Sequence, residues 1–468
     1  MNDLTTGQPA KVIWTFSLPL LLSMALQQIY NIADSVIVGQ FAGSDSLAAV
    51  GAAYPITLIF IAIATGSSMG CSVVIGHLFG SKQLERLKTS IFTAIFSMLI
   101  LGVVLSLAGV LGARTILRLL NTPDNVLDQA VAYLAIYSAG VIANFVYNIA
   151  NAIYTGLGDS RRPMYFLLLS SVLNIGLDLL AVAVWQFGVA GAAWATTISQ
   201  FVAAILATST LIVRIRRLDP GRKVPLFSGQ QLKEMCRIAV PSILQQCCVA
   251  FSHTLIQRVV NSFGSTVMAG YEAGSKVFNF FYMCNNTLGT ALSSFAAQNY
   301  GARKLGRVRE GFQYSALMCL TFSILVVAVL QIFPAQLVGL FVDAGENASV
   351  IEVGVKYMRI VSPVQLLVCF VIACGGLLRG IGRIRDFMIV TLLDFGIRIA
   401  MIYLFCLVIH TGYTGLFWAW YFGSTVDFLI CLYWYRKMCR TGELSEAAGQ
   451  TGNGGTLSCA ERKTDALR

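Results

Sequence analysis

The sequence predicts an all-α integral membrane protein, with 12 transmembrane helices in two parallel-repeat six-helix lobes around a central cavity. Three observations lead there. The composition is too apolar for a water-exposed surface, the apolar runs are long enough to cross a bilayer, and an internal repeat splits the chain in two.

Of the 468 residues, 56% are hydrophobic and 12% are charged, about half the charge of an ordinary soluble domain. The apolar residues come in blocks, such as 56–63 and 99–110, whose flanks extend them to roughly 20 residues, the length that crosses a hydrocarbon core as a helix. Twelve such segments can be drawn. The first half holds 12–38, 47–79, 90–112, 130–155, 163–184 and 190–213. The second holds 234–262, 267–299, 312–333, 352–378, 386–408 and 414–435. In lipid each backbone amide needs an internal partner, which a helix supplies.

The net charge of +11 is a topology signal. With the N-terminus placed in the cytoplasm, inner loops, tails and helix ends hold 26 of the 33 Lys and Arg residues, and outer loops hold only Arg114 and Arg118. Arg258, Lys276, Lys356, Arg359 and Arg398 lie within or at the ends of spans. This positive-inside pattern predicts a multi-pass protein with both termini cytoplasmic. Anionic headgroups then account for the basic surface, and nucleic-acid binding is not expected. Eleven of the 12 cysteines fall in or beside spans, where Cys acts as a small apolar residue, so no redox site is expected. The first apolar run ends without a small-residue cleavage pattern, so it reads as a span and not as a signal peptide. The expected division is an N-lobe at 1–213, a basic cytoplasmic linker at 214–233, a C-lobe at 234–440 and a disordered tail at 441–468.

The repeat has a period of about 222 residues. Leu18-Pro19 matches Val240-Pro241, and Phe79-Gly80 with Lys82 matches Tyr300-Gly301 with Arg303. From Tyr133 onward the offset is 224: Gly156 and Gly158 match Gly380 and Gly382, Met164 matches Met388, and Gly191 with Trp194 matches Gly415 with Trp418. Each copy holds an even number of spans, so the copies are parallel, related by an axis along the membrane normal.

Several chemistries find no motif. No Gly-Lys dipeptide exists to form a Walker A loop. His77, His253 and His410 are too scattered to suggest a metal cluster, and no Gly-x-Ser-x-Gly nucleophile occurs. An enzyme is not expected, nor is any cofactor beyond a coupling ion.

Charges inside spans point to function. The C-terminal half holds Arg258, Glu272, Lys276, Asp394, Arg398 and Asp427. Glu272/Lys276 and Asp394/Arg398 are spaced i, i+4, so they are expected to be structural ion pairs within a helix. The N-terminal half holds Asp34 and Asp178 with no mid-span base. An ionised carboxylate there is costly, and a proton or a sodium ion would relieve it. Gln27, Tyr30, Asn31 and Asp34 share one face of the first helix, Asn174 lies one turn from Asp178, and Thr196 begins a polar stretch on the sixth. Carboxylate, amide and hydroxyl oxygens suit either ion.

These residues carry a resemblance. Leu18-Pro19, Asp34-Ser-Val-Ile-Val-Gly39, Gly76-His-Leu-Phe-Gly80, Asn151-Ala-Ile-Tyr-Thr-Gly-Leu-Gly-Asp159, Asn174-Ile-Gly-Leu-Asp178 and Gly188-Val-Ala-Gly-Ala-Ala-Trp-Ala-Thr196 occur in an order that resembles the multidrug and toxic compound extrusion (MATE) family over residues 10–440. The resemblance implies two six-helix lobes around a V-shaped cavity in a prokaryotic cytoplasmic membrane. It also implies export of amphipathic, often cationic, organic compounds in exchange for H⁺ or Na⁺. The pattern is similar to the DinF-type branch, whose ion-coupling cluster would map onto Tyr30, Asp34, Asn174, Asp178 and Thr196. The C-lobe acidic pair of the NorM-type branch is not evident. Gln27, Asn31, Asn148 and Asn151 are expected in the substrate cavity, and Pro19 at a bend in helix 1. Expected partners are small amphipathic substrates and membrane lipids, with the chain acting as a monomer. The alternative is a flippase for lipid-linked precursors from the same wider superfamily. A non-transporting membrane scaffold would give no reason for paired acids in one lobe.

Overall fold

The apolar runs form helices whose lipid-facing sides stay apolar. On the third helix Leu107 is 57% and Leu111 82% exposed, an arrangement that water would disfavour and a bilayer supports. The computed structural model describes residues 3–37, 40–41, 44–120, 122–217, 224–341 and 348–444. Part of the expected linker (218–223) and most of the expected tail (445–468) lie outside the described residues.

The first lobe contains α1 (Pro9–Ile37), α2 (Ser44–Gly80), α3 (Leu84–Leu119), α4 (Asp124–Gly156), α5 (Arg161–Asp178) and α6 (Gly188–Arg216). The second contains α7 (Gly229–Asn261), α8 (Ser265–Gly301), α9 (Leu305–Ile332), a short α10 (Pro334–Gly339), α11 (Ala348–Val361), α12 (Gln365–Gly380), α13 (Ile384–Tyr403) and α14 (Thr414–Arg440). The tenth expected span is α11 and α12 joined by a 3₁₀ turn, Ser362–Val364. Pro363 sits in that turn, and its missing amide hydrogen interrupts the helical ladder. Eleven described segments are long and apolar enough to cross a membrane. The twelfth, α8, has the 37 residues of α2 but is more polar, because Glu272, Lys276, Asn285, Asn286 and Thr290 interrupt it. Its neighbours are α2, α9, α11 and α12, so protein surrounds much of it.

The repeat extends to the backbone. Among the described residues, the non-glycine positions with positive φ are Lys82 and Arg303, at 57° and 58°, and Gln186 and His410, at 54° and 57°. They match pairwise across the repeat. Both lobes also widen into a π-helical turn at the same place, Leu179–Val184 after α5 and Leu404–Val408 after α13. Such turns recur at functional sites, and the first begins immediately after Asp178.

The lobes meet where α2, α8 and α12 end and α7 begins. Small residues permit the approach, as is usual between membrane helices: a Cβ at Gly70 would stand 2.7 Å from the Ala239 nitrogen. The contact is two-fold. His77 Nε2 bonds the Gly380 carbonyl at 2.7 Å, and its counterpart Gln298 donates Nε2 to the Gly156 carbonyl at 2.9 Å. Gly80 lies against the Gln298 carbonyl, and Gly301 against the His77 carbonyl. The segment before α1 seals the same end: Leu4 N donates to Gln298 Oε1 at 3.0 Å, and Asn299 Nδ2 donates to Leu4 O at 3.1 Å.

Candidate functional site: an acidic cluster and a cavity between the lobes

The five expected cluster residues come together. Helix α1 supplies Tyr30 and Asp34 one turn apart, α5 supplies Asn174 and Asp178 one turn apart, and α6 supplies Thr196. Helix α1 packs along α5, and α5 along α6, which brings the three faces to one point. Tyr30 lies beside Thr196, and Asn174 Nδ2 reaches Thr196 Oγ1 at 3.5 Å. The Asp34 and Asp178 carboxyls stand within hydrogen-bonding reach of each other. Two carboxylates cannot donate, however, and both Asp178 oxygens, Asp34 Oδ1 and Asn174 Oδ1 are enclosed without a donor. Asn174 and Asp178 are fully buried. Four orphaned acceptors in one cluster are costly unless a positive charge or a proton joins them, so the residues fit a small cation or a shared proton. Tyr133 on α4 lies close enough to the acids to feel their charge, and Tyr137 stacks on it with ring centroids 6.1 Å apart. Their i, i+4 spacing was the available signal, and the sequence reading passed over it.

The repeat shows why the other lobe differs. Asp34 corresponds to Ile256 and Asp178 to Ile402, both buried. Asn174 and Thr196 become Arg398 and Trp420, whose cation–π contact of 3.9 Å replaces the amide–hydroxyl bond. Arg398 Nη2 also bonds both Asp394 oxygens, at 2.7 and 2.6 Å, so that expected ion pair is present. Asp427 lies close enough to feel the charge of this guanidinium but makes no ion pair with it among the described residues. The second expected pair does not form. Among the described residues Glu272 makes no ion pair with Lys276, whose ammonium instead lies 6.0 Å from the Phe341 ring centre. Helical spacing permits such a pair, but a neighbouring ring at the helix end offers the ammonium another contact.

Because Asp394→Asn would leave Arg398 buried without its partner, it should cost about 3–5 kcal/mol of stability. Thermal unfolding of the purified variant measures the loss, and exchanging the two charges should restore part of it. A variant that folds normally yet abolishes export would contradict this structural role.

A cavity of about 200 Å³ lies between the lobes, bounded by α2, α4, α8 and α12. Asn148 and Asn151 line it. Gln27 and Asn31 do not. Asn31 is exposed, with Nδ2 3.4 Å from Gln28 Oε1, on a helix that packs against α5, α8 and α9. Four pairs of lining residues match across the repeat: Met69 with Thr290, Ser72 with Ser293, Val73 with Ser294, and Thr155 with Arg379. The cavity therefore sits on the pseudo-two-fold axis. Arg379 was missed. One residue past the drawn end of its span, it counted as a loop base, but it is only 6% exposed.

Two parallel six-helix lobes meeting at one end around an axial cavity, with unpaired acids buried in one lobe, define a membrane transporter. The MatE family model matches residues 19–180 and 241–404, and the chain belongs to that family. It is 30% identical over 339 residues to the probable multidrug resistance protein YoeA of Bacillus subtilis, covering 71% of this chain and 73% of that one. It is 26% identical to an FAD transporter of Shewanella oneidensis, covering 73% and 76%. Its fold is similar to a structure described as the outward-facing conformation of a multidrug resistance MATE family transporter. The TM-score is 0.87 at 26% identity, over 95% of this chain and 98% of that one.

Proposed function

We propose that this protein exports amphipathic organic compounds across the cell membrane by alternating access, driven by H⁺ or Na⁺ entering at Asp34 and Asp178. The observation carrying this reading is the set of enclosed oxygens on Asp34, Asn174 and Asp178 that no donor satisfies. Ion binding there removes a desolvation cost. It can shift the balance between lobe arrangements only if the cluster binds the ion more tightly in one of them. The multidrug resistance relative supports an amphipathic cargo. The resemblance implies an often cationic cargo, and the residues lining the cavity between α2, α4, α8 and α12 include no acid.

Orientation follows from the basic loops. The end where the lobes meet is cytoplasmic, and this arrangement faces outward. Single-cysteine labelling should find the termini and the 214–237 loop inside and the 114–129 loop outside. Termini on opposite sides would remove the parallel-repeat topology. The test of function is dye transport in proteoliposomes with proton and sodium gradients imposed separately. One gradient should drive accumulation against the dye gradient. Transport that responds to neither would refute ion-coupled export.

A further inference from the structure

Arg379 is the charged residue among those lining the cavity on the pseudo-two-fold axis, and its guanidinium Nε and Nη2 are enclosed without a hydrogen-bond partner. The lining residues include no Asp or Glu. Besides Arg379 they include hydroxyls (Thr155, Ser293 and Ser294 among them), the amides of Asn148 and Asn151, and apolar groups. Asn151 Oδ1 and Ser68 Oγ also lack partners. An uncompensated buried guanidinium is among the most costly side-chain placements in a membrane protein, and such residues mark substrate or ion paths.

The placement is built by the fold. Helix α12 lies against α8 because Gly376 and Gly289 meet backbone to backbone, and a Cβ on Gly380 would stand 2.6 Å from the Ser293 carbonyl. Gly375 admits the Phe387 ring, and the guanidinium carbon sits 5.1 Å from that ring's centre. The ring contact leaves the charge itself without a counter-ion, since the residues lining the cavity include no acid. At the matching position the first lobe has only the neutral Thr155, so this one residue breaks the symmetry of the cavity and gives it a charge.

We propose that this cavity binds the anionic group, a carboxylate or a phosphate, of an amphipathic substrate. Arg379 provides the charge that such groups match, and the Ser293, Ser294 and Thr155 hydroxyls provide further donors. The volume of about 200 Å³ is below the 300–1,000 Å³ range usual for whole drug-sized ligands. The cavity therefore takes the charged end of the molecule, while the apolar part extends between the lobes. The substrates are zwitterionic or acidic amphiphiles. Their export rests on the transporter reading above, whereas their binding does not.

The test is equilibrium binding to the full-length protein in detergent, without lipid or gradient, read by fluorescence polarisation. The probes are rhodamine B, which carries a free carboxylate, and its ethyl ester, which shares the ring system without it. Wild type should bind the acid about tenfold more tightly than the ester, the scale of one charge-assisted bond. Arg379→Gln should abolish that preference while changing ester affinity less than about twofold, and Arg379→Lys should keep part of it. Absence of saturable acid binding, absence of a preference in wild type, or a preference that survives Arg379→Gln would each overturn the proposal. If Arg379→Gln elutes or unfolds unlike wild type, the decision passes to Arg379→Lys, where a preference equal to wild type, or none at all, overturns it. Two competitors identify the recognised element, and each result requires an anion site. Displacement of the acid dye by inorganic phosphate shows that the anion alone suffices. Displacement by dihexanoyl phosphatidylglycerol only shows that a headgroup with attached chains is needed. Acid dye displaced by neither would overturn the phosphate part of the assignment. Because no gradient is used, failure of ion coupling and failure of this site give different results.

Discussion

Asp34→Asn and Asp178→Asn are each expected to reduce gradient-driven accumulation to the level of vesicles without protein, while leaving a folded transporter. Asparagine keeps the shape of aspartate and removes its charge. In the cluster the carboxyls face each other, and both Asp178 oxygens lack a donor. On the proposed mechanism, entry of a proton or cation relieves the cost of that arrangement, and this relief would link the ion gradient to the lobes. A neutral amide needs no cation, so the variant has no ion-dependent difference between conformations. Moving a two-state equilibrium from 1:99 to 99:1 takes about 5.5 kcal/mol of differential binding, and a site that no longer binds the ion supplies none. Pro19 lies inside α1 four turns before Asp34, where the missing amide hydrogen leaves a point at which the helix can bend. Thermal stability should match or exceed wild type, since an unpaired buried charge is gone. The measurement is substrate accumulation in energised inverted vesicles at matched expression. Near-normal coupled transport by both variants would move the coupling site to Glu272 and Asp427.

Gly80→Ala is expected to shift the protein away from the arrangement in which the lobes meet at their α2 and α8 ends. A methyl group there would overlap the Gln298 carbonyl oxygen, a backbone atom that no rotamer change can move. Overpacking of this kind costs about 1–3 kcal/mol, and about 3 kcal/mol shifts a two-state population by roughly a hundredfold. Gly301→Ala should act alike, because it meets the His77 carbonyl in the symmetry-related position. His77→Gln is the control. Gln298 already makes the matching bond to a helix-end carbonyl, so glutamine at 77 should preserve the contact. Spin-label distances between α2 and α8 at this end should lengthen in the two glycine variants and stay unchanged in His77→Gln. Unchanged distances in Gly80→Ala would mean that the contact yields without separating the lobes.

Membrane class, repeat, and the faces carrying Tyr30, Asp34, Asn174 and Asp178 were all legible in the sequence. Each depends on local periodicity: apolar run length selects a span, and i, i+4 spacing selects a face. The matched left-handed pairs Lys82/Arg303 and Gln186/His410 show how far a local pattern determines the backbone. The tertiary structure alone decided what each face meets. It left Gln27 and Asn31 off the lining of the cavity bounded by α2, α4, α8 and α12, left Glu272 unpaired with Lys276, and placed Tyr133 near the acids. It also turned Arg379 from a loop base into a buried cation on the axis. The physical reason is that solvation belongs to the surroundings of a side chain and not to its own helix. One residue beyond a span, a guanidinium is inexpensive in water and costly between two lobes, and only the packing of α12 against α8 determines which environment it has.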